Sequence, residues 1–132
     1  MTPVILVVED NERNLKLLRD VLTYAGYDVR AARTAEDGLS LAIDDPPDLV
    51  LMDIELPGMD GAEALVRLRE SPRTAGVPVV AVTALAMKQD RERLLGAGFD
   101  GYLEKPISVR ALPRQVEEFL GHEDKPTAPP TA

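Results

Sequence analysis

The 132-residue chain contains no cysteine. Disulfides, thiolate zinc sites and thiol nucleophiles are thereby excluded. It has one histidine, His122, which falls in the C-terminal tail, so a catalytic histidine pair and a multi-histidine metal site are excluded too. Positive charge is scarce: 15 Lys and Arg face 23 Asp and Glu, for a formal charge of −8. That argues against nonspecific nucleic-acid or anionic-membrane binding, both of which want a basic face. No apolar run approaches the length of a membrane span. The first one, Val4–Val8, stops at Glu9 and Asp10, so there is no signal-peptide pattern and a soluble, cytoplasmic protein is expected. Two glycine loops are missing as well. Neither G-x-G-x-x-G after the first apolar run nor G-x-x-x-x-G-K followed by Ser or Thr occurs, which removes dinucleotide and nucleoside-triphosphate roles.

What is present is globular. Hydrophobic residues make up 45% of the chain, enough for one domain with one core. Val4–Val8, Leu49–Met52 and Val79–Val82 are apolar at consecutive positions, as in strands buried on both faces. Tyr102–Leu103 is a shorter run, and Asp28–Ala32, with Arg30 inside it, suits an edge strand. Helical spacings fall between them, over Asn14–Ala25, Ala35–Ile43, Ala62–Leu68, Met87–Ala97 and Val109–Leu120. Five strand–helix units predict an α/β fold with a parallel sheet and helices on both faces. Two junctions, Ala25-Gly26-Tyr27-Asp28 and Ala97-Gly98-Phe99-Asp100, predict helices that end on a left-handed glycine. Residues 1–120 are expected to form the domain. Residues 121–132, with three prolines, are expected to be a disordered tail.

Ligands of open parallel sheets bind beyond the carboxyl ends of the strands. The residues there are Glu9 and Asp10, Asp53, Thr83, and Glu104, Lys105 and Pro106. Two carboxylates about 5 Å apart repel by roughly 3 kcal/mol at an effective dielectric of about 20. An acid cluster therefore calls for a cation, and oxygen ligands favour Mg²⁺, Mn²⁺ or Ca²⁺. Two or three carboxylates completed by water suit Mg²⁺, which usually shares its site with phosphate. Lys105 and Thr83 supply an ammonium and a hydroxyl for phosphate oxygens. Asp53 can then act as a nucleophile on phosphorus. Each residue also has a plainer reading. Asp10-Asn11 and Thr83 suit helix N-caps, Asp53 suits a turn before Pro57-Gly58, and Lys105 suits a solvated surface lysine. Their joint placement at strand ends favours the site.

At these residues the chain resembles a known family. "VEDN" with Glu9-Asp10, "LMDIELPGMDG" around Asp53, "VVAVTALA" around Thr83 and "GYLEKPI" around Lys105 resemble the response-regulator receiver domains of two-component signalling. The likeness covers about residues 4–120 and is greatest to stand-alone cell-division regulators of the DivK type. It implies a flavodoxin-like (βα)5 fold with strand order 2-1-3-4-5. It implies that Asp53 accepts a phosphoryl group from a phosphohistidine on a sensor histidine kinase or a histidine phosphotransfer protein. Asp10, Asp53 and the backbone carbonyl of Glu55 would bind Mg²⁺ (or Mn²⁺), with Glu9 acting through water. Thr83 and Lys105 would contact the phosphoryl oxygens, and Tyr102 would turn inward as Thr83 moves. The Lys105–Pro106 bond would be cis. The face made by the fourth helix, fifth strand and fifth helix would signal to a downstream protein, without nucleic acid or membrane insertion.

Two features depart from the easy pattern. Pro113 lies within the fifth helical stretch, where it would remove a hydrogen bond to the Val109 carbonyl, so a later start, a tight first turn or a kink is expected. Glu55 and Leu85 occupy positions that vary in the family and tune phosphate lifetime. An aspartate-nucleophile phosphohydrolase is the enzymatic alternative. Such enzymes carry an Asp-x-Asp motif after the first strand, whereas here the acid pair comes first and Ile54-Glu55 follows Asp53. A phosphorylation-independent binding module is the third reading, and the full set of site residues argues against it.

Overall fold

A computed structural model describes residues 2–56, 58–59, 61–84 and 87–124, with side chains as far as Gly121. Five strands alternate with five helices. They are β1 (Val4–Val8), α1 (Glu12–Tyr24), β2 (Asp28–Ala32), α2 (Ala35–Asp44), β3 (Leu49–Asp53), α3 (Gly61–Glu70), β4 (Val79–Thr83), α4 (Lys88–Ala97), β5 (Gly101–Glu104) and α5 (Leu112–Asp124). The strands form one sheet in the order β2-β1-β3-β4-β5, every pairing parallel. This is the flavodoxin-like arrangement expected from the alternation and the resemblance.

The burial of each strand follows from its place in the sheet. All five residues of β3 and of β4 are buried, whereas β2 and β5, at the two edges, keep exposed positions. Successive side chains point to opposite faces, and both faces are covered. Leu6, Val8, Val50, Met52, Val79 and Ala81 pack with side chains of α2, α3 and α4, including Leu39, Leu65 and Leu94. Ile5, Val7, Leu49, Leu51, Val80, Val82 and Leu103 pack with Leu15, Leu18 and Leu22 of α1 and Leu112, Val116 and Leu120 of α5. Each fully buried side chain of this size contributes roughly 1.5–3 kcal/mol, so the two layers hold the central strands rigidly.

The two glycine junctions close alike. Gly26 and Gly98 have φ of 103° and 114°. The N–H of the following aromatic reaches back five residues, Tyr27 to the Leu22 carbonyl (3.1 Å) and Phe99 to the Leu94 carbonyl (3.3 Å). A residue with a Cβ is strained at such φ values, which is why glycine stands there.

Two helix starts differ from the sequence expectation by more than one residue. Helix α1 begins at Glu12 rather than Asn14, because the Asn11 side chain caps it by accepting the Asn14 N–H at 3.0 Å. Helix α5 begins at Leu112 rather than Val109 and runs on to Asp124. A separate turn over residues 109–111 precedes it, pinned by Ser108, whose Oγ accepts the Ala111 N–H (3.1 Å) and whose carbonyl accepts that of Leu112 (2.9 Å). Pro113 therefore sits in the first turn of the helix, where a missing N–H costs little. Residues 125–132 of the tail, and Leu85, lie outside the described residues. Among those described, no helix is long and apolar enough to cross a membrane.

Candidate functional site

The sheet brings the strand-end acids to one place. β1 lies beside β3, with Val8 opposite Met52, so Glu9 and Asp53 emerge on neighbouring strands. Asp53 is paired across from Val82 of β4. The two-residue period of a strand puts Asp53 on the same face as Leu49 and Leu51, and Glu9 in line with Ile5 and Val7. Both therefore face the α1/α5 side. Carboxylate oxygens of Glu9, Asp10 and Asp53 all lie within 4.8 Å of one another. Glu9 and Asp53 are buried, and Asp10 is half-buried.

Lys105 completes the cluster from 52 residues away, its Nζ donating to Asp53 Oδ2 at 3.0 Å. The same Nζ is 3.5 Å from Glu9 Oε1. Lys105 keeps 19% of its side-chain exposure, so it is a partnered group at the site and not a freely solvated lysine. Burial alone would lower its pKa. The hydrogen bond to Asp53, together with the charges of Asp53 and Glu9, outweighs burial and raises it. Its main chain is fixed too: the Lys105 N–H donates to the Thr83 carbonyl (2.8 Å), and the Lys105–Pro106 peptide bond is cis.

Glu9 is the uncomfortable member. Its Oε2 accepts the Asn11 N–H at 3.1 Å, but its buried Oε1 has no hydrogen-bond partner among the described residues. Burial first, and then the adjacent Asp53 carboxylate, push its pKa up to about 7. A buried carboxylate oxygen without a donor is costly. A proton or a metal ion relieves that cost, and an all-oxygen donor set suits a hard divalent cation. These residues fit Mg²⁺ or Mn²⁺.

The plainer readings of the same residues resolve separately. Asn11, not Asp10, caps α1, so the Asp10 carboxylate is spared for the cluster. Met87, not Thr83, stands at the N-cap of α4. Asp53 does make a turn contact, since its Oδ1 accepts the Glu55 N–H at 2.9 Å while Oδ2 holds Lys105. The turn fixes the carboxylate and does not replace its other role. Thr83 is fully buried at the end of β4. Strand alternation places it with Val79 and Ala81 on the α4 side, the side on which Tyr102 packs. The structure thus brings Glu9, Asp10, Asp53 and Lys105 together directly, with Thr83 and Tyr102 on the adjoining strands and opposite face.

Two arginines, one ending the second strand and one on a charged helix face, were given no role in the site by sequence. Arg33, at the end of β2, donates to the Asp10 carbonyl (3.3 Å) and pairs with Glu12 (3.2 Å). Arg91, within the charged face of α4, donates to the Tyr102 hydroxyl at 3.2 Å. For Arg33 the strand-end rule was the available signal. For Arg91 there was none, because helix periodicity says only that it faces outward.

The chain is similar to known proteins. A family model for the response regulator receiver domain matches residues 5–117. The chain is 42% identical over 121 residues to the polar-differentiation response regulator DivK of Brucella ovis, covering 92% of this chain and 98% of that one. Among solved structures it is similar to the receiver domain of a Pseudomonas aeruginosa sensor histidine kinase, solved with a magnesium ion coordinated in the active site cleft. That match has a TM-score of 0.83 and 34% identity, and covers 92% of this chain and 99% of that one. A CheY-like response regulator receiver domain protein from Methanospirillum hungatei matches with a TM-score of 0.84 and 32% identity, covering 96% and 99% of the two chains.

Proposed function

The chain belongs to the response regulator receiver domain family, and from that premise we propose that Asp53 is its phosphoacceptor and a protein-borne phosphohistidine its donor. As a receiver it is a signalling switch and not a conventional enzyme. The observation that carries the assignment is the meeting of Glu9, Asp10 and Asp53 oxygens within 4.8 Å, with Lys105 Nζ 3.0 Å from Asp53.

The chemistry needs little movement. An Asp53 oxygen attacks phosphorus, a P–O bond forms, and the P–N bond to the donor histidine breaks with its electron pair returning to the ring nitrogen. Burial on β3 and the turn contact with Glu55 keep the nucleophile aimed. Lys105, which neutralises Asp53 at rest, shifts to the incoming phosphoryl oxygens, and Thr83 donates its hydroxyl to another. Asp10, Asp53 and the Glu55 carbonyl would hold Mg²⁺ (or Mn²⁺), with Glu9 acting through water. The ion would supply positive charge against the phosphoryl oxygens.

The product carries about two negative charges on its phosphoryl oxygens where the carboxylate carried one. These draw on Thr83 and Lys105, which adjoin α4 and β5. Helix α4 gives the core only one buried side chain among those described, Leu94, so it is the helix least held in place. Movement of Thr83, Tyr102 and α4 would change the α4-β5-α5 face presented to a downstream protein. The donor is a sensor histidine kinase or a histidine phosphotransfer protein, and the setting is the cytoplasm. The likeness to DivK supports a place among regulators of polar differentiation. A net charge of −8 supports protein partners over nucleic acid.

Incubation with a small phosphodonor and Mg²⁺, followed by intact mass, tests the assignment. One acid-stable, base-labile phosphate is expected, absent in Asp53→Asn. Uptake that survives this substitution would sink it.

A further inference from the structure

Tyr102 does not sit alone on β5. It is half-buried and packs on the α2/α3/α4 side of the sheet. Its hydroxyl accepts a hydrogen bond from Arg91 Nη1 at 3.2 Å. The Arg91 guanidinium carbon also lies 5.8 Å from the Tyr102 ring centroid, within the range of a cation–π contact. Glu104, two residues along on the same face of β5, adds an electrostatic attraction for Arg91. The clasp therefore ties the exposed face of α4 to the middle of β5. It matters because α4 is weakly held otherwise. Leu94 is its one buried side chain, and a cavity of about 260 Å³ lies beneath the helix, lined by Ile54, Ala62, Leu94 and Phe99 among others. Ile54 follows Asp53 directly in the chain, so the loose packing under α4 begins beside the nucleophile.

We propose that Arg91 is a positioning residue for Tyr102, holding the ring in its resting place so that phosphorylation must break the clasp to move it. The proposal rests on the reading of Asp53 as phosphoacceptor and Tyr102 as the aromatic that moves. A contact made in only one of two states biases the equilibrium by its own strength. An exposed hydrogen bond with a cation–π contact favours the resting state by roughly fivefold. Arg91 thus sets how strong a phosphoryl signal the receiver requires. Because Arg91 is exposed, its removal leaves the core intact.

The test titrates the protein with beryllofluoride and Mg²⁺ as a phosphoryl analogue. Binding is followed by isothermal titration calorimetry, whose signal does not depend on the tyrosine that one variant removes. Arg91→Ala should tighten apparent binding roughly fivefold. In a Tyr102→Ala background the same change should have no effect, and Arg91→Lys should return part of the wild-type affinity. A structural role for Arg91 would instead lower stability equally in both backgrounds. Arg91→Ala binding that is unchanged or weaker, or the same gain in both backgrounds, overturns the clasp. Wild-type binding that is lost in Asp53→Asn yet indifferent to Arg91 overturns the clasp alone. Absence of any Asp53-dependent binding overturns the phosphoacceptor reading as well.

Discussion

Two clusters of charge lie at opposite ends of the sheet, and they are finished to different degrees. At the amino ends of β4 and β5, Arg69 donates to the carbonyls of Ala75 (3.2 Å), Val77 (2.7 Å) and Gly98 (3.3 Å) and to Asp100 Oδ2 (2.8 Å). That same Asp100 oxygen accepts the Val79 N–H at 2.7 Å. One cation meets one anion, and the loop carbonyls around them are satisfied. At the carboxyl ends, Glu9 and Asp53 share Lys105 beside Asp10, and Glu9 Oε1 has no hydrogen bond among the described residues. The first cluster is closed and holds α3 against the sheet. The second is short of positive charge, which suits a place where a cation and a phosphoryl group arrive. Charge balance separates scaffold from site here, since each cluster contains acidic and basic groups.

That contrast predicts opposite behaviour on mutation. The largest effect is expected at the carboxyl end. Lys105→Ala should lower phosphate uptake from a small donor by about a hundredfold, as loss of one positioned charge does in other sites. Initial rates by intact mass measure it, and uptake within a few-fold of wild type would remove Lys105 from the chemistry. Arg69→Ala should do the reverse. Arg69 and Asp100 are partly solvated, at 30% and 45% side-chain exposure, so solvent screens the ion pair and the loss rests on the carbonyl contacts. We expect about 2 kcal/mol less stability in urea unfolding, with phosphate uptake per folded molecule unchanged.

A third expectation concerns pH. Glu9 titrates at about 7 in the fold against an ordinary value of 4.5. Between those values the folded chain holds a proton that the unfolded chain has lost. The associated stability is therefore full below about pH 4.5 and is lost as pH rises through about 7. Metal-free protein should unfold more easily at pH 8 than at pH 5. Mg²⁺ or Glu9→Gln should flatten that slope, and a slope that persists in Glu9→Gln would place its source elsewhere. The smallest effect separates two adjacent residues. Asn11→Ala should cost about 1 kcal/mol through the lost cap on α1. Asp10→Ala should cost less stability but reduce the stabilisation that Mg²⁺ gives in thermal unfolding.

The strands were legible because burial on both faces leaves consecutive apolar residues, as in Val79–Val82, and because an edge strand tolerates Arg30. The glycine junctions at Gly26 and Gly98 were legible because their backbone conformation excludes other residues. The start of α5 was not. Val109 fits the helical spacing, and only the turn pinned by Ser108 moves the first helical residue to Leu112. The strand-end rule also located the acids, Thr83 and Lys105. It could not say which of Asp10 and Asn11 would be the cap, because both have the right side chain.

Sequence alone determined the element order, the parallel sheet and the set of groups delivered to its carboxyl edge. Each of these follows from rules that act over a few residues. Tertiary structure decided which groups meet. Lys105 reaches Asp53 across 52 residues, Arg69 reaches Asp100 across 31, and Arg91 of α4 reaches Tyr102 of β5. Those contacts depend on strand register and on how helices lie over the sheet, and no local preference encodes either. The same packing left Glu9 Oε1 without a hydrogen bond among the described residues, and with it the place for a cation.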